Sequence, residues 1–261
     1  MAEFLTSAQM RAIEEAEVAS GRVGWLGLME RAVGEIARVI AARHPAPGRA
    51  RVLCGPGNNG GDGFGTACAL RAAGWQVEVF ALGDPAAQEG AAGEMVARWG
   101  APVRALAEAA REGGRGAPDL SPDLSPDLVV DAVFGIGLAR PVPAEVAAAL
   151  AACPGADLVA VDTPSGLSAD TGAALLPEGA PVPRADLTIT FHRMKPGHVL
   201  ADGPEMCGAV EVVDIGLAEP VPDAIGHVAP PDAATLRAAV LGSGAHKYDR
   251  GHALVLGGGV A

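Results

Sequence analysis

Nine consecutive turn-forming residues, Gly55-Pro56-Gly57-Asn58-Asn59-Gly60-Gly61-Asp62-Gly63, interrupt the apolar rhythm of this chain. Before them, Arg51-Val52-Leu53-Cys54 reads as a short buried strand. After them, residues 64–73 have the composition of a helix. Gly55, Gly57 and Gly60 match the spacing G-x-G-x-x-G between a strand and a helix, the context in which such a loop holds a dinucleotide. Glycines let the backbone approach a ligand, and the helix that follows offers unpaired N–H groups and partial positive charge. The plainer reading is a tight strand–helix turn with Asn and Asp as caps. The motif also lacks one usual companion, an acid at the end of the second strand. Asp84 is the nearest candidate, and it comes late.

The surrounding pattern is that of an α/β protein. Thr6 and Gln9 form a capping box for a helix over residues 7–18, with Met10 and Ile13 on its apolar face. A second helix spans residues 26–42, where Met29, Val33, Ile36 and Ile40 share a face, and Pro45 and Pro47 end it. Residues 76–80 read as a strand and 86–99 as a helix. Residues 128–131 form a further strand, 144–152 a helix and 158–162 a strand, with later strands at 187–191 and 210–213. Strands alternating with helices predict a Rossmann-like three-layer α/β/α sandwich around a mostly parallel sheet. Residues 106–127, with Gly113-Gly114 and an echoed Ser-Pro-Asp-Leu at Ser121 and Ser125, read as a surface insertion. Residues 219–223 read as a linker. Beyond it come one helix (231–241) and one strand (253–256) leading into Gly257-Gly258-Gly259, which reads as a second domain cut short and weakly packed.

Composition narrows the function classes. Of 261 residues, 49% are apolar and only 3% aromatic, so the core rests on Ala, Val, Leu and Ile. A formal charge of -12 argues against nucleic acid as a partner, yet leaves room for an anionic small ligand held by backbone N–H groups. Cys54, Cys68, Cys153 and Cys207 are scattered, which speaks against a disulfide framework or zinc site and for a reducing cytoplasm. No signal peptide and no membrane span are read.

Asp131 and Asp162 each close a predicted strand, which puts both on the rim that carries the Gly-rich loop. A pair of acids there can divide acid–base chemistry and cation binding, or serve as turn caps. Lys195, between His192 and His198, reads as a phosphate contact, a proton donor or a solvated loop residue. The two histidines lack metal spacing with any cysteine. Ser165 lacks the nucleophile-elbow flanks, so a hydroxyl ligand to a cation or phosphate suits it better.

Taken together, Leu28-Met29-Glu30-Arg31-Ala32, the run Gly55 to Gly63, Asp131 with Phe134-Gly135 and Gly137-Leu138, Val161-Asp162-Thr163-Pro164-Ser165-Gly166-Leu167 and Lys195-Pro196-Gly197-His198 resemble the NAD(P)H-hydrate epimerase family, the YjeF N-terminal domain. The tail His246-Lys247-Tyr248-Asp249-Arg250-Gly251-His252 is similar to the opening of the partner ADP-dependent dehydratase domain. The resemblance divides the chain into an epimerase domain, residues 1–223, and the truncated start of a dehydratase domain, residues 224–261, whose lyase activity is not expected of this piece. It implies interconversion of the R and S forms of hydrated NADH or NADPH, a bound potassium ion, and a homodimer or higher homo-oligomer in the cytoplasm. Asn58, Asn59, Gly60, Gly61 and Asp62 would line the ligand phosphates. Gly135, Ile136, Gly137, Leu138, Ala139, Arg140 and Pro141 would form a second ligand loop. Asn59, Asp131 and Ser165 would supply oxygens to potassium. Asp162 would contact the hydrated ring as the proton-transfer group, with Lys195 close by. The chain departs from the family pattern at Val33, where Gly is common, and at Gly65-Thr66, where bulkier residues are common. A nicotinamide-dependent dehydrogenase and a non-catalytic dinucleotide-binding or protein-interaction module are the competing readings.

Overall fold

A computed structural model describes residues 2–112, 125–218 and 226–228. Seven parallel strands form one sheet in the order β4-β3-β2-β5-β6-β7-β8. They are β2 (Arg49–Cys54), β3 (Gln76–Ala81), β4 (Arg104–Ala105), β5 (Leu128–Ala132), β6 (Asp157–Val161), β7 (Leu187–Phe191) and β8 (Ala209–Val213). A separate antiparallel pair joins β1 (Ala2–Phe4) to β9 (Gly226–Val228). The chain builds outward from β2 through β3 to β4, then returns to the other side of β2 for β5. The order therefore reverses between β2 and β5, and the crevice beyond the carboxyl ends of strands at such a reversal is where open α/β sheets bind ligands.

Helices cover both faces. Alternate residues of β2 point to opposite layers: Val52 and Cys54 pack with α2 (Trp25–Arg43), α3 (Asn58–Ala72) and α4 (Gly90–Trp99), while Leu53 packs with α5 (Leu106–Glu112) and α6 (Ala144–Leu150). Burial on both sides explains why these strands read as continuous apolar runs. Phe64, fully buried on α3, is one of the few aromatics in the core, and its burial contributes about 1.5–3 kcal/mol.

Three expectations need correction. The run Asn58 to Gly63 is not a loop. It forms the first turns of α3, which begins at Asn58 instead of at Phe64. Glycine disfavours helix by about 1 kcal/mol per residue, but here its missing side chain decides the packing. A Cβ at Gly61 would lie 2.8 Å from Met29 Cε, and one at Gly63 would lie 2.7 Å from Ala132 Cβ. The glycine edge lets α3 sink between α2, α4 and the sheet. The second correction concerns residues 106–127. The first part, α5, is a core helix and not an insertion: Leu106 and Ala109 are each 1% exposed. Residues 113–124, including the first Ser-Pro-Asp-Leu copy, lie outside the described residues. Third, the helix expected over residues 86–99 is a 3₁₀ turn at Pro85–Ala87 and then α4, because Gln88 and Glu89 between them are extended.

The two departures at Val33 and Gly65 meet in space. A Cβ at Gly65 would stand 2.4 Å from Val33 Cγ2. The larger side chain on α2 fills the volume that the smaller one on α3 leaves.

The capping box forms at α1 (Ser7–Ala19): Gln9 N–H donates to Thr6 Oγ1 (3.3 Å) and Thr6 N–H to Gln9 Oε1 (3.0 Å). The N-terminal segment is tied across the strand ends. Leu5 N–H donates to Met194 O (3.0 Å), Ser7 N–H to Asp170 Oδ1 (2.7 Å), and Arg193 pairs with Glu3 (2.9 Å). This sets α1 above the carboxyl rim of the sheet. The expected linker at 219–223, helix at 231–241 and strand at 253–256 lie outside the described residues. Among the described residues, all four cysteines are free, and no helix is long and apolar enough to cross a membrane.

Candidate active site

A cavity of about 520 Å³ opens at the β2/β5 reversal. The β2–α3 turn contributes Pro56, Asn58, Asn59 and Asp62. The segment after β5 contributes Phe134, Gly135, Ile136, Gly137 and Leu138, and Asp162 follows β6. Helix α1 adds Arg11, Glu14 and Glu15, and Trp25 begins α2.

Gly57 makes the turn possible, since its φ of 89° lies in the left-handed region that favours glycine. Gln88 braces the turn from α4's approach: it accepts from Gly57 N–H (2.9 Å) and donates to Gly55 O (3.0 Å). The N-terminus of α3 thereby faces the cavity with Asn58, Asn59 and Asp62 on its wall. Gly60 and Gly61, expected on the same wall, are buried and are not among the lining residues. A Cβ at Gly60 would collide with Gly55 O at 1.7 Å, so this glycine seals the turn against the helix. Ala139, Arg140 and Pro141 also lie off the cavity, which the second loop leaves after Leu138. Asp84, the nearest acid after the second strand of the motif, caps the 3₁₀ turn, accepting from Ala86 N–H (2.9 Å).

Asp162 is held in a strained backbone. Its φ is 64°, and Thr163 N–H donates to Val161 O (2.8 Å), which closes a γ-turn around it. The next strand ends the same way, with His192 at φ 62° and Arg193 N–H on Phe191 O (2.7 Å). Such conformations cost on the order of 1–3 kcal/mol each and persist where the surroundings over-determine them. Here they do. Asp162 N–H donates to Ile189 O (2.7 Å), and His198 Nε2 meets Asp162 O (3.0 Å).

The two Asp162 oxygens face different worlds. Oδ1 accepts from Lys195 Nζ (2.6 Å) and from Thr190 Oγ1 (3.0 Å). Oδ2 lies 3.4 Å from Ile136 N–H, toward the cavity. A Cβ at Gly135 would stand 3.1 Å from Oδ2 and 3.0 Å from the Asn59 amide, so the bare glycine keeps that approach open. Lys195 is fully buried and is not a solvated loop residue. Its three ammonium protons go to Asp162, Thr190 Oγ1 (2.7 Å) and Phe191 O (3.3 Å). It touches Asp162 from behind and does not reach the cavity. Burial pushes the Asp162 carboxyl up, but the Lys195 charge and hydrogen bond, with help from His198 and Thr190, hold it below the ordinary value. The group is a carboxylate at neutral pH.

His198 is neutral. Lys195 N–H donates to its Nδ1 (3.3 Å), so Nε2 carries the proton given to Asp162 O. Burial first and the Lys195 charge second lower its pKa to about 4. A His whose folded pKa lies below its unfolded one contributes stability above about pH 6.5 and loses it as pH falls through 4. The amount is about 3 kcal/mol. Glu14 works in the opposite sense: its pKa, raised to about 7, removes stability as pH rises from about 4.5 to 7. The readout is therefore the difference between wild type and His198→Gln. In urea melts that difference is expected to shrink steadily from pH 6.5 to pH 4, and a constant gap would refute the neutral assignment.

Asp131 and Ser165 form a second, deeper cluster. Ser165 Oγ donates to Asp131 Oδ1 (2.5 Å), Ser165 N–H to Oδ2 (2.7 Å), and Phe134 N–H to Ser165 Oγ (2.8 Å). Burial raises the Asp131 carboxyl to about 6 against these hydrogen bonds. The Asn59 amide, oriented so that both ends find partners, donates to Val161 O (3.2 Å) and accepts from Gly135 N–H (3.3 Å). Neither Asp131 nor Ser165 lines the cavity. Their hydrogen bonds knit the segment after β5 to the turn after β6.

Contributors not read from the sequence include Glu14, Arg11, Thr190, His198 as a brace, and Gln88. Only Glu14 had a usable signal, as an acid one residue from the apolar Ile13 on a capped helix.

Comparison with known proteins fits this architecture. Residues 26–197 match the family model described as YjeF-related protein N-terminus. The chain is 42% identical over 212 residues to a protein of Rhodobacter capsulatus named NAD(P)H-hydrate epimerase, covering 76% of this chain and 92% of that one. It is 38% identical to the bifunctional NAD(P)H-hydrate repair enzyme Nnr of Methanothermobacter thermautotrophicus, over 89% of this chain and 43% of that one. The crystal structure of the yeast protein ynu0, YNL200c, shares the fold with a TM-score of 0.61 at 22% identity, covering 75% of this chain and 82% of that one. With the family model spanning the turn, both acids and Lys195, the chain belongs to the YjeF-related N-terminal family.

Proposed function

We propose that this chain interconverts the R and S forms of hydrated NADH and NADPH. One observation carries the reading: Asp162, held as a carboxylate by buried Lys195, turns one oxygen into the cavity of about 520 Å³ at the sheet reversal. In the hydrated ring, carbon 6 bears a hydroxyl beside the ring nitrogen. Loss of that hydroxyl as water leaves a planar iminium cation, to which water adds from either face. The reaction needs proton transfer and no redox partner. Asp162, held ionised, puts a fixed negative charge on the wall, and such charge favours the positive charge that develops on the ring. Among the described residues Arg11 is the single cationic side chain on that wall, and it is suited to the ligand's phosphates together with the N–H groups of α3.

The residues also fit potassium. Among the described residues no three His, Cys, Asp or Glu side chains converge as a metal-binding set. Asn59, Asp131 and Ser165 offer one carboxylate and neutral oxygens, a hard set, and the buried Asp131 charge is one that a cation would offset. Bound there, the ion supplies a fixed positive charge.

That the residues beyond 223 open a further domain is a reading that the bifunctional relative supports without marking the boundary. A match over 89% of this chain necessarily runs past that residue, and this chain spans less than half of that relative.

The test is direct. Pure protein incubated with the R hydrate is expected to yield the S form, resolved by chromatography. Formation of NADH from NAD and an added alcohol, with the hydrate unchanged, would instead mark a dehydrogenase. An inert protein that still binds dinucleotide would mark a binding module.

A further inference from the structure

We propose that Glu14 is a second catalytic acid–base residue of this cavity, working on the hydrated ring from the wall formed by α1 while Asp162 works from the sheet rim. The inference rests on the epimerase reading. Glu14 is half-buried and lines the cavity together with Asp62 and Asp162. Of the other acids of the first two helices, Glu17 pairs with Arg22, Glu35 with Arg38 and Glu30 with Arg98, while Glu15 is exposed to solvent where Glu14 is half-buried. Among the described residues Glu14 makes no hydrogen bond or ion pair, although α1 is capped and tied down at Leu5 and Ser7. A fixed helix thus presents a desolvated, unpartnered carboxyl to the space where the ring would lie.

The chemistry calls for two such groups. Inversion at carbon 6 breaks a C–O bond on one face and makes one on the other. In one direction protonated Glu14 gives its proton to the hydroxyl, the C–O bond breaks, water leaves, and the nitrogen lone pair forms the N=C bond. Water then adds to the opposite face and gives a proton to the Asp162 carboxylate, and the N=C pair returns to nitrogen. One water is lost and one gained. The proton on Asp162 passes back to Glu14 through cavity water. In the reverse direction the roles exchange, so the pair carries one proton either way.

The charged groups around Glu14 set when that proton is present. Burial and the Asp162 charge raise its pKa to about 7, with Glu15 adding to them and Lys195 and Arg11 opposing. Asp62 on α3 is itself pushed up by burial, then by Asp162 and Glu14. Glu14 is therefore partly protonated at neutral pH while Asp162 is ionised, the split that an acid and base pair needs.

The experiment compares wild type, Glu14→Gln and Glu14→Asp in both directions from pH 5 to 9. Glu14→Gln is expected to lower kcat by about 10²-fold or more with KM within about threefold. Wild-type kcat is expected to fall above about pH 7, and this limb is expected to vanish in Glu14→Gln and return in Glu14→Asp. A Glu14→Gln variant that melts like wild type and keeps its kcat and alkaline limb overturns the role of Glu14 while leaving the epimerase reading intact. A folded wild type that converts neither epimer overturns both.

Discussion

Asp162→Asn is expected to reduce epimerisation by about 10²–10⁴-fold, the usual contribution of a positioned acid–base group. Asparagine keeps the shape and can still occupy the γ-turn at φ 64°, a conformation it tolerates better than most residues. What it removes is the basic oxygen, Oδ2, that faces the cavity beside Ile136 N–H. The loss should fall on kcat, because the walls that bind the rest of the dinucleotide are untouched. The substitution also leaves the buried Lys195 ammonium without its carboxylate. The double variant Asp162→Asn with Lys195→Met removes both charges and separates chemistry from folding. If either variant kept near-normal turnover in an assay resolving the two epimers, Asp162 would lose its role.

Lys195→Met is expected to be the most destabilising single change at the site, by about 3–5 kcal/mol, because it leaves an uncompensated carboxylate in the interior. Asp162 is 7% exposed and Lys195 fully buried, so water screens the pair little. The pH dependence follows from the sign of the shift. Asp162 is held below its ordinary pKa in the folded protein, so the pair contributes stability above the unfolded value near 4 and loses it as pH falls through the folded one. In Lys195→Met, burial, the largest influence, is opposed only by the smaller contributions of His198 and Thr190, so the carboxyl rises. Stability lost at neutral pH should then be partly regained as pH is lowered toward 5, the reverse of wild type. The base would ionise only at higher pH, so the acid limb of kcat should move upward. Denaturant melts and kcat profiles read both effects. A variant as stable as wild type at pH 8, with an unmoved acid limb, would show that Lys195 does not hold Asp162 ionised.

Much of this architecture was legible in the chain itself. The alternation of apolar runs with helical faces announced a parallel sheet because burial on both sides demands it. The Thr6 and Gln9 pair marked the start of α1 because a capping box is a purely local device. Asp131 and Asp162 were placed on one rim by strand ends alone, and family resemblance supplied the chemistry. The limits were equally physical. Residues 58–63 read as a loop because glycine disfavours helix, and only the contacts of Gly61 with Met29 and Ala92 reveal why a helix forms there. Residues 106–112 read as an insertion because the glycines beyond them hid a short apolar face.

The local sequence thus determined the elements, their caps and the set of acids from which a site is built, since these depend on periodicity and nearest neighbours. Tertiary structure decided which acid does what. It ran Lys195 behind Asp162 instead of into the cavity, spent Asp84 on a hydrogen bond, and laid α1 across the strand ends so that Glu14 faces the cavity. Protonation and burial depend on groups brought together from distant parts of the chain, and no local pattern encodes them.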